Sequence, residues 1–187
     1  MKTYIIFGPP GAGKGTQAEL IVDKFNLMHV STGELLRSEI RSGSELGKMA
    51  AELIDKGNFV PDEVVEGMIA SKYDQNKDVC GFLLDGYPRT VAQAQDLDRM
   101  LAKRGEEVTA VISLMIPDET VKERIRHRAM IENRIDDTKD EIIANRIHEY
   151  HSKTEPVADY YKAAGKYIEI DGVGTIEEVF ENVCKIL

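Results

Sequence analysis

The chain has 187 residues, 42% of them hydrophobic and 30% charged, with a net charge of −9. That length suits one large domain, or one core with inserted lobes. The acidic balance argues against nucleic acid or an anionic membrane as the main partner, and no apolar run is long enough to span a bilayer.

The first apolar run, residues 4–7, reads as a buried strand. It leads into Gly8-Pro-Pro-Gly-Ala-Gly-Lys-Gly-Thr16, and a helical pattern follows with Ala18, Ile21, Val22 and Phe25 on one face. Strand, glycine-rich turn and helix are the setting in which G-x-x-x-x-G-K holds phosphate. Glycines let main-chain N–H groups turn inward around an anion. The helix start adds its positive dipole end, and Lys14 adds a mobile charge. A plain turn joining strand to helix is the alternative; the lysine and both flanking elements argue against it. Pro9 and Pro10 break the apolar run at once, so no secretory leader is expected.

Four further runs read as strands: 28–30, 82–84, 108–114 and 167–170. Helical patterns alternate with them, which implies a parallel sheet covered on both faces. Ligands of such sheets bind beyond the carboxyl ends of the strands. Ser31-Thr32-Gly33-Glu34 reads as a capping box opening a helix. Pro61-Asp62 starts another, and residues 31–60 hold more helix than one crossover needs. They are expected to form a small helical lobe, with Gly33, Gly43, Gly47 and Gly57 as hinges or helix ends. Asp85 directly follows a strand, within Asp85-Gly-Tyr-Pro-Arg-Thr90. A carboxylate there can organise magnesium waters, or simply cap a turn. Pro156 is expected to kink or restart a long helix carrying Ile142, Ile143, Ile147 and Tyr150. The last helix is expected to bury Ile176, Val179, Phe180 and Val183.

Single arginines on helices are ordinarily solvated. Here Arg37, Arg89, Arg124, Arg128, Arg134 and Arg146 all fall near the predicted sheet-top loops or their flanking helices. With Lys14 they would repel one another unless a polyanion lay among them, and guanidinium forks match phosphate oxygens. The four histidines, His29, His127, His148 and His151, form no recognisable dyad. Cys80 and Cys184 form no close metal-type pair, and buried, reduced thiols of a cytoplasmic protein are expected.

Four blocks resemble the adenylate kinase family: Gly8 to Gln17, Ser31-Thr-Gly-Glu-Leu-Leu-Arg37, Gly81-Phe-Leu-Leu-Asp-Gly-Tyr-Pro-Arg-Thr90, and Arg134-Ile-Asp-Asp137. The resemblance covers nearly the whole chain. It implies an α/β, P-loop three-layer fold with a five-stranded parallel sheet flanked by helices. The core would be 1–30, 61–128 and 138–187, with a nucleoside-monophosphate-binding lobe at 31–60 and a lid at 129–137. Only five residues separate Arg128 from Arg134, which is similar to the short-lid form, with no zinc. That form has glycine just inside both lid arginines; Ala129 and Asn133 stand there instead.

The resemblance also implies roles. Gly11, Ala12, Gly13, Lys14, Gly15 and Thr16 would hold ATP phosphates, with Arg124 and main chain at Gly174 on either side of its base. AMP would meet Thr32, Arg37, Val60, Gly86, Arg89 and Gln93. Arg128, Arg134 and Arg146 would reach the phosphates, and Asp85 would order magnesium through water. The expected reaction is MgATP + AMP giving two ADP, by a monomer. The competing expectations are a catalytically weak AMP- and ATP-binding regulator, and a kinase of UMP or CMP.

Overall fold

The computed structural model describes residues 1–56, 58–132 and 139–187. Five strands form one sheet: β1 (Lys2–Phe7), β2 (Met28–Ser31), β3 (Gly81–Asp85), β4 (Val108–Met115) and β5 (Tyr167–Asp171). Their order is β2-β3-β1-β4-β5, and all four pairings are parallel. Every expected strand is present, extended by one or two residues at its ends.

The helices are α1 (Lys14–Phe25), α2 (Thr32–Ser42), α3 (Glu45–Ile54), α4 (Asp62–Gln75), α5 (Val91–Ala102), α6 (Asp118–Glu132), α7 (Asp140–Glu149), α8 (Pro156–Ala163) and α9 (Ile176–Cys184). Successive strand residues point to opposite faces, so two cores form. Ile5, Phe7, Phe82, Leu84 and Val111 pack on the side of α4, α5 and α8. Tyr4, Ile6, Leu83, Ile112 and Leu114 pack with Ala18 and Ile21 of α1 and Val179 and Val183 of α9. Burying side chains of this size contributes roughly 1.5–3 kcal/mol each, and Tyr73, stacked on Phe82 at 3.8 Å, also bonds its hydroxyl to Thr3 Oγ1 at 3.0 Å.

Register places the site. Ile6 and Ser31 both sit level with Asp85, and Phe7 with Ser113. The residues that follow, Gly8, Thr32 and Gly86, therefore leave the sheet side by side at its carboxyl edge. The central strand β1 has β3 on one side and β4 on the other, so its exit loop lies where the winding reverses, the usual crevice of such sheets.

Several local expectations need correction. Ser31 accepts a bond from Glu34 N at 3.4 Å, but the reciprocal arm of the box is missing. Glu34 turns instead to Arg37 and Arg41, at 3.1 and 2.8 Å. A full reciprocal box forms at Thr175 and Glu178. Gly43 ends α2 in the left-handed region, whereas Gly47 is neither hinge nor end: it lies inside α3, where a Cβ would collide with the Glu39 carbonyl. Gly57 lies outside the described residues. Ile176 is exposed at the first turn of α9, and Phe180 is only half-buried. Cys80 is exposed and Cys184 half-buried, because both sit at element ends rather than in the core.

Around Pro156 the chain does restart. Residues Tyr150–Thr154 form a π-helical turn, closed by Glu155 N donating to Tyr150 O at 2.8 Å, and α8 begins at the proline. A proline there cannot donate, and its ring crowds the carbonyl four residues back. Helix α6 runs through Ala129 to Glu132, so the start of the expected lid is helix; alanine favours that state. Among the described residues no helix is long and apolar enough to cross a membrane.

Candidate active site

The phosphate loop is built as its glycines allow. Gly8, Gly11 and Gly13 take φ of 137°, 79° and 88°, and Gly13 caps α1 from the left-handed region. Ala12 is buried between them, while Gly15 and Thr16 are exposed at the start of the helix. Lys14 Nζ donates to the carbonyls of Gly8 and Pro9 at 2.9 and 2.8 Å, inside the loop it closes. Burial pushes its ammonium down to about 7, and Arg89, Arg128 and Arg146 push the same way against Asp85. Such a crowd of cations is stable only with anionic charge among them.

Asp85 ends β3. Burial would raise its carboxyl, but His29, Lys14 and Arg89 outweigh that and hold it below the usual carboxylate range. His29 Nε2 is 3.8 Å from Asp85 Oδ2, long for a hydrogen bond. Gly86 follows with φ of 76°, and a Cβ there would come within 2.9 Å of Thr32 Oγ1 and 3.0 Å of Arg89 Nη2. Only glycine fits both the conformation and the space. Its carbonyl accepts from Thr32 Oγ1 at 2.9 Å and from Arg89 Nε at 2.7 Å. The Arg89 guanidinium lies over the Phe59 ring, 5.2 Å from its centre.

Gln93 is buried on α5, and both ends of its amide are engaged. Its Oε1 accepts from Arg89 N at 2.7 Å, and its Nε2 donates to Asp62 Oδ1 at 2.6 Å. Thr32, Gly86, Arg89 and Gln93 line one cleft, open to solvent, together with Lys14, Arg37, Val60 and Arg146. On the other side of the phosphate loop, Arg124 Nη2 donates to Gly172 O at 3.1 Å and Nη1 reaches Ala12 O at 3.5 Å. Gly174, with φ of 144°, lies in the same turn.

The sequence thus pointed to residues that the fold gathers: Lys14, Thr32, Arg37, Val60, Gly86, Arg89, Gln93 and Arg146 share the cleft. Asp85 and Arg128 act on Lys14 through charge, and Arg124 braces the phosphate loop. Arg134, Asn133 and the pair Asp136 and Asp137 lie outside the described residues. Sequence reasoning missed Phe59 and the partnership of Asp62 with Gln93. The motif before α4 marked Asp62 only as a helix start, and nothing local signals a partner 31 residues away. The histidines were expected to form no dyad; His29, on the neighbouring strand, faces Asp85 instead.

What such a cleft can do is restricted. Positive charge from Lys14, Arg37, Arg89 and Arg146 converges in this cleft beside the phosphate loop, an arrangement suited to phosphate groups. By fold and site the molecule is a P-loop phosphotransferase. Comparison narrows the class. The family model for adenylate kinase matches residues 6–166. An adenylate kinase of Bacteroides thetaiotaomicron is 45% identical over 99% of this chain and 97% of its own length. One of Flavobacterium psychrophilum is 45% identical over 100% and 98%, and one of Leptospira biflexa 43% over 99% and 99%. The chain belongs to the adenylate kinase family, and it is a nucleotide kinase.

Proposed function

We propose that the enzyme transfers the terminal phosphoryl group of MgATP reversibly to AMP, giving two ADP, and so serves adenine nucleotide balance in the cytoplasm as a monomer. The observation that carries this reading is the single cleft shared by Lys14, Arg146, Arg89 and Gln93. It joins a phosphate loop on one side to an acceptor pocket on the other. In this assignment the loop amides of residues 11–16 and Lys14 hold the ATP phosphates, with Arg124 and Gly174 bounding the base. Thr32, Arg37, Val60, Gly86, Arg89 and Gln93 hold AMP.

Transfer needs alignment and charge neutralisation more than covalent help. Lys14, Arg128 and Arg146 offset charge on the moving group, and Arg134 is assigned there by its place in the sequence. Arg89, fixed on the Gly86 carbonyl, holds the acceptor phosphate in line. Magnesium enters as part of the MgATP substrate. The donor chemistry fits: Asp85 is a hard oxygen donor kept ionised beside Lys14, suited to hold the ion's waters. Among the described residues no three His, Cys, Asp or Glu side chains converge as a metal site. Residues 31–60 and 129–137 serve as the closing lobe and lid, excluding water from the transfer.

The test is ADP formation from MgATP with AMP, UMP, CMP, GMP or no acceptor. Rapid turnover with AMP alone is expected. Turnover that prefers another monophosphate, or that needs none, would overturn the assignment.

A further inference from the structure

Gln93 is an amide, and a free amide cannot tell an amino-bearing base from an oxo-bearing one. It can present N–H or C=O to either partner simply by turning over. Adenine offers an acceptor at N1 beside a donor at its amino group. Hypoxanthine and guanine offer the reverse, a donor at N1 beside an oxo acceptor. An amide that must choose between these edges has to be held in one orientation.

The structure holds it. Arg89 N is a donor only, so Oε1 must face it, at 2.7 Å. The Asp62 carboxylate accepts, so Nε2 must face it, at 2.6 Å. Turned over, Gln93 would set its oxygen against a carboxylate and its NH2 against an N–H, two like contacts in a buried place. The backbone leaves no slack. Thr90 Oγ1 caps Gln93 N at 3.1 Å, and Tyr87 Oη donates to Gln93 O at 3.3 Å. What remains for the cleft is one N–H and one oxygen lone pair in fixed places, the complement of an amino-bearing edge. Asp62 itself does not line the cleft. It stands behind Gln93 at the first position of α4.

We infer that Asp62 is a specificity-determining positioning residue: by locking the Gln93 amide it makes the acceptor site select 6-amino over 6-oxo purine monophosphates. The inference rests on the reading that Gln93 meets the base of the acceptor. Asp62 touches no substrate; it acts through the hydrogen-bonding direction of its neighbour. Arg89 N imposes the same orientation from the other end, so removing the carboxylate weakens the lock without abolishing it.

The experiment compares AMP with IMP, which differ only at this edge, as acceptors for MgATP. The variant is Asp62→Asn, which keeps the shape and can accept or donate. The ratio of kcat/KM for AMP to that for IMP is expected to fall by at least roughly tenfold, the value of one hydrogen bond to a charged group. The kcat with AMP should stay close to that of the parent, and Asp62→Glu should restore part of the ratio. Asp62→Ser, which also relaxes the lock, carries the same expectation should the asparagine variant fold poorly. A ratio unchanged in both, or an equal loss with both acceptors, would overturn the inference and leave Asp62 a helix-start residue. So would a parent enzyme that uses IMP as readily as AMP. A parent with no AMP-dependent turnover would instead overturn the functional assignment beneath it.

Discussion

The two sides of the cleft, proposed above as an acceptor side and a donor side, are made differently. On the acceptor side, polar side chains hold one another. Thr32 and Arg89 both rest on the Gly86 carbonyl, and Gln93 is pinned at each end. On the donor side a main-chain loop does the holding, and the side chains mostly supply charge. Lys14 lies on loop carbonyls, and Arg124 ties Ala12 to Gly172 from α6. Phosphate is a large, symmetrical anion, and main-chain amides with mobile cations suit it from many angles. A nucleobase edge is small and directional, so its receptor must be rigid before the ligand arrives. The donor side therefore depends on field strength, and the acceptor side on fixed geometry.

The largest way to break the comparison is to take charge from the donor side. Lys14→Ala is expected to cut kcat by roughly two to three orders of magnitude, the usual effect of losing one group aimed at developing charge. The fold should survive, because Lys14 is a half-buried cation crowded by other cations, which destabilises the empty cleft. Its acidity near 7 lies below its value in the unfolded chain, so the native state disfavours protonation. That cost is full below pH 7 and fades as pH rises towards the unfolded value. Thermal unfolding at pH 7 should accordingly show Lys14→Ala at least as stable as the parent. A normal kcat in this variant would sink the donor-side reading.

The acceptor side should respond instead to shape. Gly86→Ala adds one carbon at φ of 76°, against Thr32 Oγ1 and Arg89 Nη2. Strain of about 1–3 kcal/mol is expected, or a fall of about 2–4 °C in Tm for each kcal/mol in a chain of this size. The KM for AMP should rise while the KM for ATP changes little. An equal rise in both would mean that the two sides are not mechanically separate.

Legibility in the sequence follows the range of the forces involved. The strands were readable because each is a short apolar run whose burial is decided within itself. The phosphate loop was readable because its glycines and lysine act over nine residues. Their gathering with Thr32, Arg89 and Gln93 followed from one rule, that parallel strands leave by the same edge. What escaped was decided by competition or by distance. Glu34 has the right spacing for a capping box, yet two arginines on its own helix outbid the backbone N–H for its carboxylate. Ile176 lies on the apolar stripe of α9 but at its first turn, where its carbonyl accepts from Gln17 of α1 while its side chain stays exposed. Asp62 and Gln93 meet across 31 positions, and no local pattern encodes that meeting.

The smallest predicted effect concerns how the donor side is footed. Helix α6 carries Arg124 and Arg128, and its first residue, Asp118, is bound by His151 from the π-helical turn. The His151 Nε2 lies 3.2 Å from both Asp118 oxygens, and Nδ1 lies 2.9 Å from Glu155 Oε2. Glu155 raises the imidazole above its ordinary value, burial opposes it, and Asp118 adds to the rise. A histidine raised on folding adds stability that is complete below its unfolded value, about 6.5, and is lost as pH rises through its folded one. All three side chains are substantially exposed, so the effect is small and screened by salt. His151→Gln should therefore lower Tm slightly at pH 6 and leave it unchanged at pH 9, with the gap closing in 0.5 M salt, a concentration that cuts the screening length to about 4 Å. Because the contact anchors α6 and not α4 or α5, any kinetic change at pH 6 should fall on ATP and spare AMP. A change on AMP would tie this surface cluster to the acceptor pocket and blur the division between the two sides.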